Sequence, residues 1–212
     1  MTKYFFMKDK LSLEEKIVQA ALKMFNEAGI EYVGMRELAT ALDIRIGNLT
    51  YYFPTKDDLV NRLAIDLAEE NNRTIVPIEN MTMESFFGVL EQVFRNHVKF
   101  RCLMLSFVHV MQRNPLIAKR YAKIQPKRNE AWAKNVEALR TGKYIKATAT
   151  EIDFLVSTIA LIARFWISEA AIAFRNVSEE DQIHHYMKMV ARIFLPYATA
   201  KGKNELDVIL EK

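Results

Sequence analysis

The side chains best suited to recognising a ligand lie in the segment Gly47 to Tyr52, GNLTYY. Leu49 is its one large side chain without a polar group. Leu49 and Phe53 stand four residues apart, so in a helix they share one face and are buried together. The opposite face then carries amide and hydroxyl groups, which are suited to reading base edges in the major groove of DNA. The segment from Ile46 to Tyr52 is therefore predicted to be a short helix that contacts nucleic acid.

A second short helix is predicted just before it, over residues 35–42, where apolar side chains fall on one face at helical spacing. Asp43, Ile44 and Arg45 would form the turn, with Ile44 as the apolar residue that fixes the turn to the core. Two short helices joined by such a turn make a helix-turn-helix, whose second helix can enter a major groove.

Longer helices are predicted on both sides of this motif. A capping box at Ser12 begins a helix with one apolar stripe, and Gly29 ends it. A second capping box at Thr55 begins a helix over residues 56–72. Lys56, in its first turn, is predicted to bind a phosphate together with the helix amides, and a solvated lysine is the alternative.

The composition favours an all-helical protein, because half of the 212 residues are apolar while only 6 are glycine and 5 are proline. A single cysteine, Cys102, excludes an internal disulfide and fits the reducing cytoplasm. There is no signal-peptide pattern, and the longest apolar stretch is interrupted by Arg164 and Glu169, so no membrane span is expected.

The charge is distributed unevenly along the chain. Residues 1–72 carry 9 Lys and Arg against 12 Asp and Glu, a net charge of −3, whereas residues 99–146 carry 12 against 2, a net charge of +10. The predicted DNA-reading end is therefore not basic as a whole. The case for DNA binding depends on where Arg36, Arg45 and Lys56 point.

Beyond Arg73 the chain is predicted to form a bundle of helices over residues 83–99, 101–113, 115–140, 151–175 and 180–195, with capping boxes at Thr150 and Ser178. The helix 151–175 is apolar on more than one face and needs cover on both sides. Pairing with 180–195 would give a four-helix interface between two subunits, and a central place in one domain is the alternative. The expected interface residues are Ile159, Trp166, Ile183, Met187, Val190 and Phe194.

Methionine and aromatic side chains are frequent in the same region, and such surfaces adapt to varied apolar ligands. Most of these residues must be core, but a ligand pocket between the helices is predicted to use Phe94, His97, Met104, Phe107, Met111, Trp132, Phe165 and Trp166. For His97, a hydrogen-bonded place in the core is the alternative. The basic run 119–128 is either a solvated face or a patch that attracts an acidic effector or nucleic acid.

Residues suited to catalysis or metal binding are sparse. His184 and His185 are adjacent, so on a helix they point about 100° apart and are poor joint ligands. No HExxH, CxxC or GxSxG pattern and no glycine-rich phosphate loop occurs. We therefore expect no catalytic residues, no metal site, no cofactor and no enzymatic activity.

The segments ALKMFNEAG, MRELA and GNLTYYFPTK, between Ile17 and Lys56, resemble the DNA-binding domain of the TetR family of bacterial transcriptional regulators. The resemblance implies an all-helical dimer with a DNA-binding domain over residues 1–56, a connecting helix over 56–72 and a ligand-binding and dimerisation domain over 73–212. By position in the motif, the implied DNA contacts are Arg36, Arg45, Asn48, Thr50, Tyr51, Tyr52 and Lys56.

The chain departs from the family pattern at four positions. Asp43 stands where the family usually has glycine, Arg45 where the helix often starts on serine or threonine, Thr50 where tyrosine is commonest, and Tyr52 where histidine is commonest. Aspartate tolerates the left-handed backbone better than most residues. The departures therefore bear on the base sequence of the operator rather than on the fold.

The expected function is that of a cytoplasmic, homodimeric transcriptional repressor. It would bind a palindromic operator in double-stranded DNA and be released by a small apolar or amphipathic effector. Two alternatives remain open from the sequence: a helical enzyme or carrier with an incidental helix-turn-helix, and a regulator controlled by a partner protein instead of a ligand. The first would need a polar catalytic cluster in the C-terminal region, and the sequence shows none there.

Overall fold

A computed structural model describes residues 11–211 of the chain. Over this range the fold is all-α, as predicted: it contains eleven α-helices and a short 3-10 helix at Leu195–Tyr197. No β-strand occurs among the described residues, where Ile145 and Ala198 form an isolated bridge. The chain divides into two compact units, the first ending at Leu63 and the second beginning at Ala64.

The first unit contains the helices α1 (Leu13–Ala28), α2 (Met35–Ala41) and α3 (Ile46–Tyr52) and the start of α4 (Lys56–Thr74). Its capping boxes form as predicted, since the Ser12 hydroxyl accepts from the Glu15 amide at 3.2 Å and the Thr55 hydroxyl accepts from the Asp58 amide at 3.2 Å. The helices share a core whose buried members include Ile17, Ala21, Phe25, Leu38, Leu49, Phe53 and Leu59.

The second unit contains the rest of α4 and seven further helices: α5 (Met83–Lys99), α6 (Arg101–Leu105), α7 (Phe107–Arg113), α8 (Pro115–Thr141), α9 (Ala149–Ala173), α10 (Glu179–Phe194) and α11 (Ala200–Glu211). Aromatic rings from four helices meet in its core. The Phe86 ring packs edge to face against Trp132 and Phe194, with centroids 5.2 Å apart in each pair. Phe94 lies against Trp166 at 4.9 Å.

Two differences from the sequence prediction change where a helix breaks or begins, whereas the other predicted helix ends agree within two residues. The predicted helix 101–113 is two helices, α6 and α7, with Ser106 between them. The N-cap of α9 is Thr148 and not Thr150. Both threonines have an acidic residue three positions later, but the longer side chain of Glu151 reaches back to the Thr148 amide at 2.7 Å and completes the box there.

Helix α8 contains Pro126 in its interior. Proline has no N–H group to donate to the carbonyl four residues earlier, so the backbone ladder is interrupted at this point. Of the buried residues of α8, only Ile117 precedes Pro126, whereas the five others follow it: Ala131, Trp132, Asn135, Val136 and Leu139. The half of α8 after Pro126 therefore contributes most of the buried side chains of this helix.

Candidate nucleic-acid interface

The turn between α2 and α3 is built around Asp43, whose backbone is in the left-handed region with φ of 53°. The Asp43 amide donates to the Thr40 carbonyl and the Ile44 amide donates to the Ala39 carbonyl, each at 3.0 Å. These two bonds form the Schellman arrangement that ends a helix. Aspartate adopts this backbone at modest cost, so the tight turn forms without glycine.

The recognition face of α3 is defined here by its exposed side chains Asn48, Tyr51 and Tyr52, whereas Leu49 is fully buried. On that face Tyr51 is 80% exposed and Tyr52 is 40% exposed, and Asn48 is also open to solvent. The two tyrosine rings pack edge to face with their centroids 5.1 Å apart. The face therefore offers one amide and two phenol groups to a ligand.

The remaining predicted DNA contacts differ in accessibility. Arg45 is exposed at the N-cap of α3, and Arg36 is exposed in the first turn of α2. Thr50 is half-buried, and its hydroxyl donates to the Ile46 carbonyl at 3.1 Å. Its oxygen can still accept a hydrogen bond, but its own hydrogen is used inside the helix.

Lys56 is half-buried at the start of α4, and its ammonium group is already engaged. The Nζ atom donates to the carbonyls of Ile30 at 2.8 Å, Val33 at 3.2 Å and Glu31 at 3.3 Å. A lysine ammonium has three donors, so the three carbonyls between α1 and α2 use all of them. A phosphate contact would have to compete with these bonds. The sequence suggested either a phosphate ligand or a solvated lysine, and neither prediction included the three carbonyl contacts.

Four acidic residues of the first unit serve in helix caps or in an ion pair. Glu15 and Asp58 complete the two capping boxes, and the Glu37 carboxylate accepts from the Gly34 amide at 3.4 Å. Glu14 pairs with Arg62 at 2.6 Å. The carboxylates at helix starts therefore have a role in the fold. They contribute to the net negative charge of this part of the chain but are not among the side chains of the recognition face.

Two further residues belong beside the predicted contacts. Tyr32, between α1 and α2, is 82% exposed; its ring lies beside Gly29, and the core does not explain its size. A Cβ atom on Gly47 would meet nothing within 4 Å, so the free protein gives no steric reason for glycine in α3. The sequence signals for these two positions were an aromatic residue in a short loop and a glycine inside a helix.

The second unit contains a partly open cavity of about 120 Å³ lined by residues of α4 to α9. Of the eight predicted ligand contacts, five line it: His97, Met104, Phe107, Met111 and Trp132. The other three do not, because Phe94 and Trp166 are buried in the core and Phe165 is 37% exposed on α9. The use of the cavity by a ligand stays a prediction.

His97 is a buried wall of this cavity. Its ring nitrogens lie 3.3 Å from the Asn71 amide nitrogen and 3.4 Å from the Trp166 indole nitrogen, and its pKa is lowered to about 3 by burial and by nearby Arg128, against a hydrogen bond with the Ala163 backbone. The imidazole is therefore neutral and hydrogen-bonded, which agrees with the core alternative while leaving the ring at the cavity surface.

The predicted basic run 119–128 is not a single face. Lys119, Lys123 and Lys127 are exposed, whereas Arg120 and Arg128 line the cavity. Arg128 donates to the Asn72 side-chain oxygen at 3.0 Å and to the Ala68 carbonyl at 2.9 Å. Helical periodicity thus divides the run between solvent and the interior of the second unit.

The six predicted interface residues must be corrected. Ile159, Trp166, Ile183, Met187, Val190 and Phe194 are each between 0% and 6% exposed in the single chain. They form the core of the second unit, because α9 packs against α5, α6, α8 and α10. A partner chain cannot reach them in this fold.

Another row of α9 side chains is exposed to solvent. Phe154, Leu161, Phe165 and Ile172 are 55%, 55%, 37% and 75% exposed. At 100° per residue these four positions fall within an arc of roughly 40°. These four residues, called the α9 stripe, therefore form one exposed apolar row along a helix of 25 residues.

Helix α9 also meets the length and composition of a membrane span, with a mean hydropathy of 1.6 over its most apolar window. One such helix is weak evidence, since a core helix passes the same test. Among residues 11–211, no three His, Cys, Asp or Glu side chains lie close enough together to hold a metal ion.

Two family models match the chain. One, described as bacterial regulatory proteins of the tetR family, matches residues 17–63, and the other, described as a bacterial transcriptional repressor of the TetR type, matches residues 68–206. A probable HTH-type transcriptional regulator of Bacillus subtilis, YttP, is 30% identical over 66 residues, which are 31% of this chain. The match spans only 32% of the length of that relative.

Solved structures agree with the fold over nearly the whole chain. A TetR-family transcriptional regulator from Marinobacter aquaeolei VT8 superposes with a TM-score of 0.87 at 18% identity, covering 95% of this chain and 98% of the other. The ketosteroid transcriptional regulator KstR2 of Mycobacterium tuberculosis gives 0.62 at 13% identity, covering 90% and 97%. Identities this low support the fold alone, but the family models cover both units, and the chain belongs to the TetR family of bacterial transcriptional regulators.

Proposed function

We propose that the chain is a homodimeric repressor that binds a palindromic operator in double-stranded DNA and releases it when a small effector enters the second unit. The observation that carries the proposal is the recognition face of α3, a polar surface held outward by the buried Leu49 and by the Schellman turn at Asp43. A short helix presented in this way fits the major groove.

The side chains of the recognition face suggest separate roles. The Asn48 amide can donate and accept in one plane, which suits the paired groups on an adenine edge. Arg45 and Arg36 would bind guanine edges or phosphates, and Tyr51 and Tyr52 would contact phosphates or thymine methyl groups. Thr50 would act as an acceptor. Lys56 would help indirectly, by fixing the loop after α1.

Two copies would join through the α9 stripe, where the large side chains of Phe154, Leu161 and Ile172 are more than half exposed. Exposed apolar surface of this extent along one helix is a common mark of a protein interface. Two-fold symmetry would then repeat the recognition helix, and a palindromic operator would match that symmetry.

The cavity would hold the effector, and α4 would carry its effect. Ala64, Leu67, Ala68 and Asn71 line the cavity, and the same continuous helix begins at Lys56, which is bound to the carbonyls between α1 and α2. An effector acts only through its differential affinity for two conformations. We expect a coupling of roughly 1–3 kcal/mol, equal for the effect of effector on operator and of operator on effector.

Selection of bound sequences from a random DNA pool by the purified protein tests the DNA-binding part and yields the operator. The expected result is one palindromic site. Asn48→Ala should then relax the preference at the contacted base, at a cost of roughly 1–3 kcal/mol for a good bidentate contact. The matched control is Lys23→Ala on α1, which should leave the base preference unchanged. A pool without enrichment at any salt concentration would contradict the proposal.

Light scattering tests the dimer. Leu161→Glu places a charge on the α9 stripe and should give a folded monomer, because the side chain is 55% exposed. Ile159→Glu, two residues away, should unfold the second unit, because Ile159 is 1% exposed. A wild-type protein that is monomeric at micromolar concentration would refute this part.

A further inference from the structure

The polar groups around the cavity are unbalanced in charge. Three arginines line it, Arg120, Arg128 and Arg164, whereas none of its 22 lining residues is aspartate or glutamate. Most of the other lining side chains are apolar. The cavity is thus an apolar space with positive charge on its wall.

Arg128 is the most confined of these charges. Its two hydrogen bonds, at 3.0 Å to the Asn72 side chain and 2.9 Å to the Ala68 carbonyl, go to neutral acceptors and use two of its five donors. No carboxylate pairs with Arg128 within residues 11–211. Burial lowers the pKa of the Arg128 guanidinium, opposed only by Tyr121.

Arg164 is held on the same wall by aromatic groups. Its Nε donates to the Tyr121 hydroxyl at 2.8 Å, and its guanidinium lies 5.9 Å from the Tyr121 and Phe165 ring centroids. The Tyr121 ring in turn packs edge to face on Phe107, which also lines the cavity. These contacts orient the guanidinium but supply no negative charge.

The neutral polar groups on the wall contact one another. Asn71 accepts from Asn96 at 3.0 Å and contacts His97, and the imidazole also contacts Trp166. A neutral imidazole has one acceptor nitrogen, so His97 can accept from Asn71 or from Trp166 but not from both, and it stays uncharged. The partly buried guanidinium of Arg128 is therefore the group for which a ligand would make the largest difference, because confined charges are costly without a counter-ion.

The volume limits the size of the ligand. About 120 Å³ is slightly less than the roughly 150 Å³ of a cavity known to accept benzene. We propose that the cavity binds a small amphipathic monoanion, a carboxylate on a compact apolar body no larger than a benzene ring, with Arg128 as its ion partner. The inference rests on the proposed function, in which this anion would be the effector.

A carboxylate fits Arg128 better than a phosphate ester does. The guanidinium fork can pair with either group through two parallel hydrogen bonds, but a single negative charge is enough to balance Arg128. A phosphate ester would bring close to two charges into a largely apolar space. Phenyl phosphate is therefore the probe that separates the two chemistries.

The test uses the full chain and four probes: benzoate, its neutral isostere benzamide, hexanoate and phenyl phosphate. Binding is measured by calorimetry and by the fluorescence of Trp132, which lines the cavity. We expect benzoate and hexanoate to bind at least about tenfold more tightly than benzamide, and phenyl phosphate to bind more weakly than benzoate. Equal binding of benzoate and benzamide, tighter binding of phenyl phosphate, or no binding of either carboxylate with a Kd below about 10 mM, would overturn the proposal.

Variants assign the effect to Arg128. Arg128→Met should remove the preference for benzoate over benzamide while leaving the melting temperature of the free protein unchanged or higher, since it removes a confined charge without a counter-ion. Arg128→Lys keeps the charge but not the guanidinium fork, so it should retain a reduced preference for benzoate over benzamide. It replaces Arg128→Met in the test if the methionine variant does not fold. Lys123→Met, an exposed residue of the same helix, is the control and should change nothing. An unchanged preference in a folded Arg128→Met protein would refute the assignment.

These measurements contain no DNA, so their failure is separate from failure of the proposed function. A protein that selects an operator but ignores carboxylates would refute only the anion site. A protein that binds benzoate through Arg128 but selects no DNA would refute only the repressor. If both hold, saturating benzoate should weaken operator binding at least about fivefold, the lower end of ordinary allosteric coupling.

Discussion

The bonds of Lys56 allow a structural role to be separated from a role in DNA binding. Lys56→Met keeps the aliphatic stem but removes the ammonium group that donates to the Ile30, Glu31 and Val33 carbonyls. A hydrogen bond from a charged group contributes roughly 1.5–3 kcal/mol. Water can replace the bond at the exposed Glu31, and two of the three bonds are long. We therefore expect the free energy of unfolding of the first unit to fall by about 2 kcal/mol in total.

Hydrogen exchange of the full-length protein is the suitable assay, because both tryptophans, Trp132 and Trp166, lie in the second unit and do not report on the first. A loss of about 2 kcal/mol should speed exchange of the α1–α3 peptides by about 30-fold where they exchange by cooperative opening. The matched control is Lys23→Met, at an exposed lysine of α1, which should change the stability by less than about 0.5 kcal/mol.

The salt dependence of operator binding completes this test. A lysine that contacts a phosphate should reduce the slope of log K against log salt by about 0.9 when it is removed. We expect no such change for Lys56→Met, and a change of about that size for Arg36→Ala if Arg36 meets a phosphate. A Lys56→Met protein with unaltered exchange and a slope reduced by about one would show that the reasoning is wrong and that the lysine serves DNA directly.

Three other changes have expected outcomes. The Tyr186 hydroxyl is buried without a hydrogen-bond partner among the residues that the structure describes, so Tyr186→Phe should raise the free energy of unfolding by about 1 kcal/mol; a fall in melting temperature would contradict this. Gly47→Ala should stabilise the free protein by roughly 0.5–1 kcal/mol, since nothing lies within 4 Å of the added Cβ, and should weaken operator binding if DNA approaches α3 closely; unchanged binding would place DNA elsewhere. The pKa of His97 is about 3 in the folded chain against an ordinary 6.5, so between these values only the unfolded chain takes up the proton and stability falls as the pH is lowered. Tryptophan-monitored urea unfolding should show a loss of about 2 kcal/mol from pH 7 to pH 5 that is absent in a folded His97→Gln variant; an equal loss in the variant would assign it to other groups.

Local sequence patterns were sufficient for much of the fold. The capping boxes at Ser12 and Thr55 and the buried edge of Leu49 and Phe53 depend on residues three or four positions apart, and the structure contains all of them. The left-handed turn at Asp43 likewise follows from one residue and its neighbours. Such features are encoded within a single helical turn, so they are visible without knowledge of the tertiary packing.

Features that join distant segments could not be found in this way. The carbonyl partners of Lys56 lie 23 to 26 residues before it, and no pattern in either segment indicates the contact. Helix α9 is apolar on several faces, so its composition could not show that Ile159 points into the core while Leu161 points to solvent. The cavity is less predictable still, because it depends on where side chains from several helices fail to fill space.

The interruption of α8 at Pro126 has a kinetic consequence for any molecule that enters the cavity. Five cavity-lining residues, Ile117, Arg120, Tyr121, Ile124 and Gln125, belong to the half of α8 that holds only one buried side chain. A segment with so few buried contacts opens at a small fraction of the free energy of global unfolding. The half after Pro126 is anchored by five buried residues and can stay folded during that opening. We expect this opening to ease the passage of a molecule into the cavity, so substitutions that weaken the core of the second unit would change its melting temperature without changing the rate of entry.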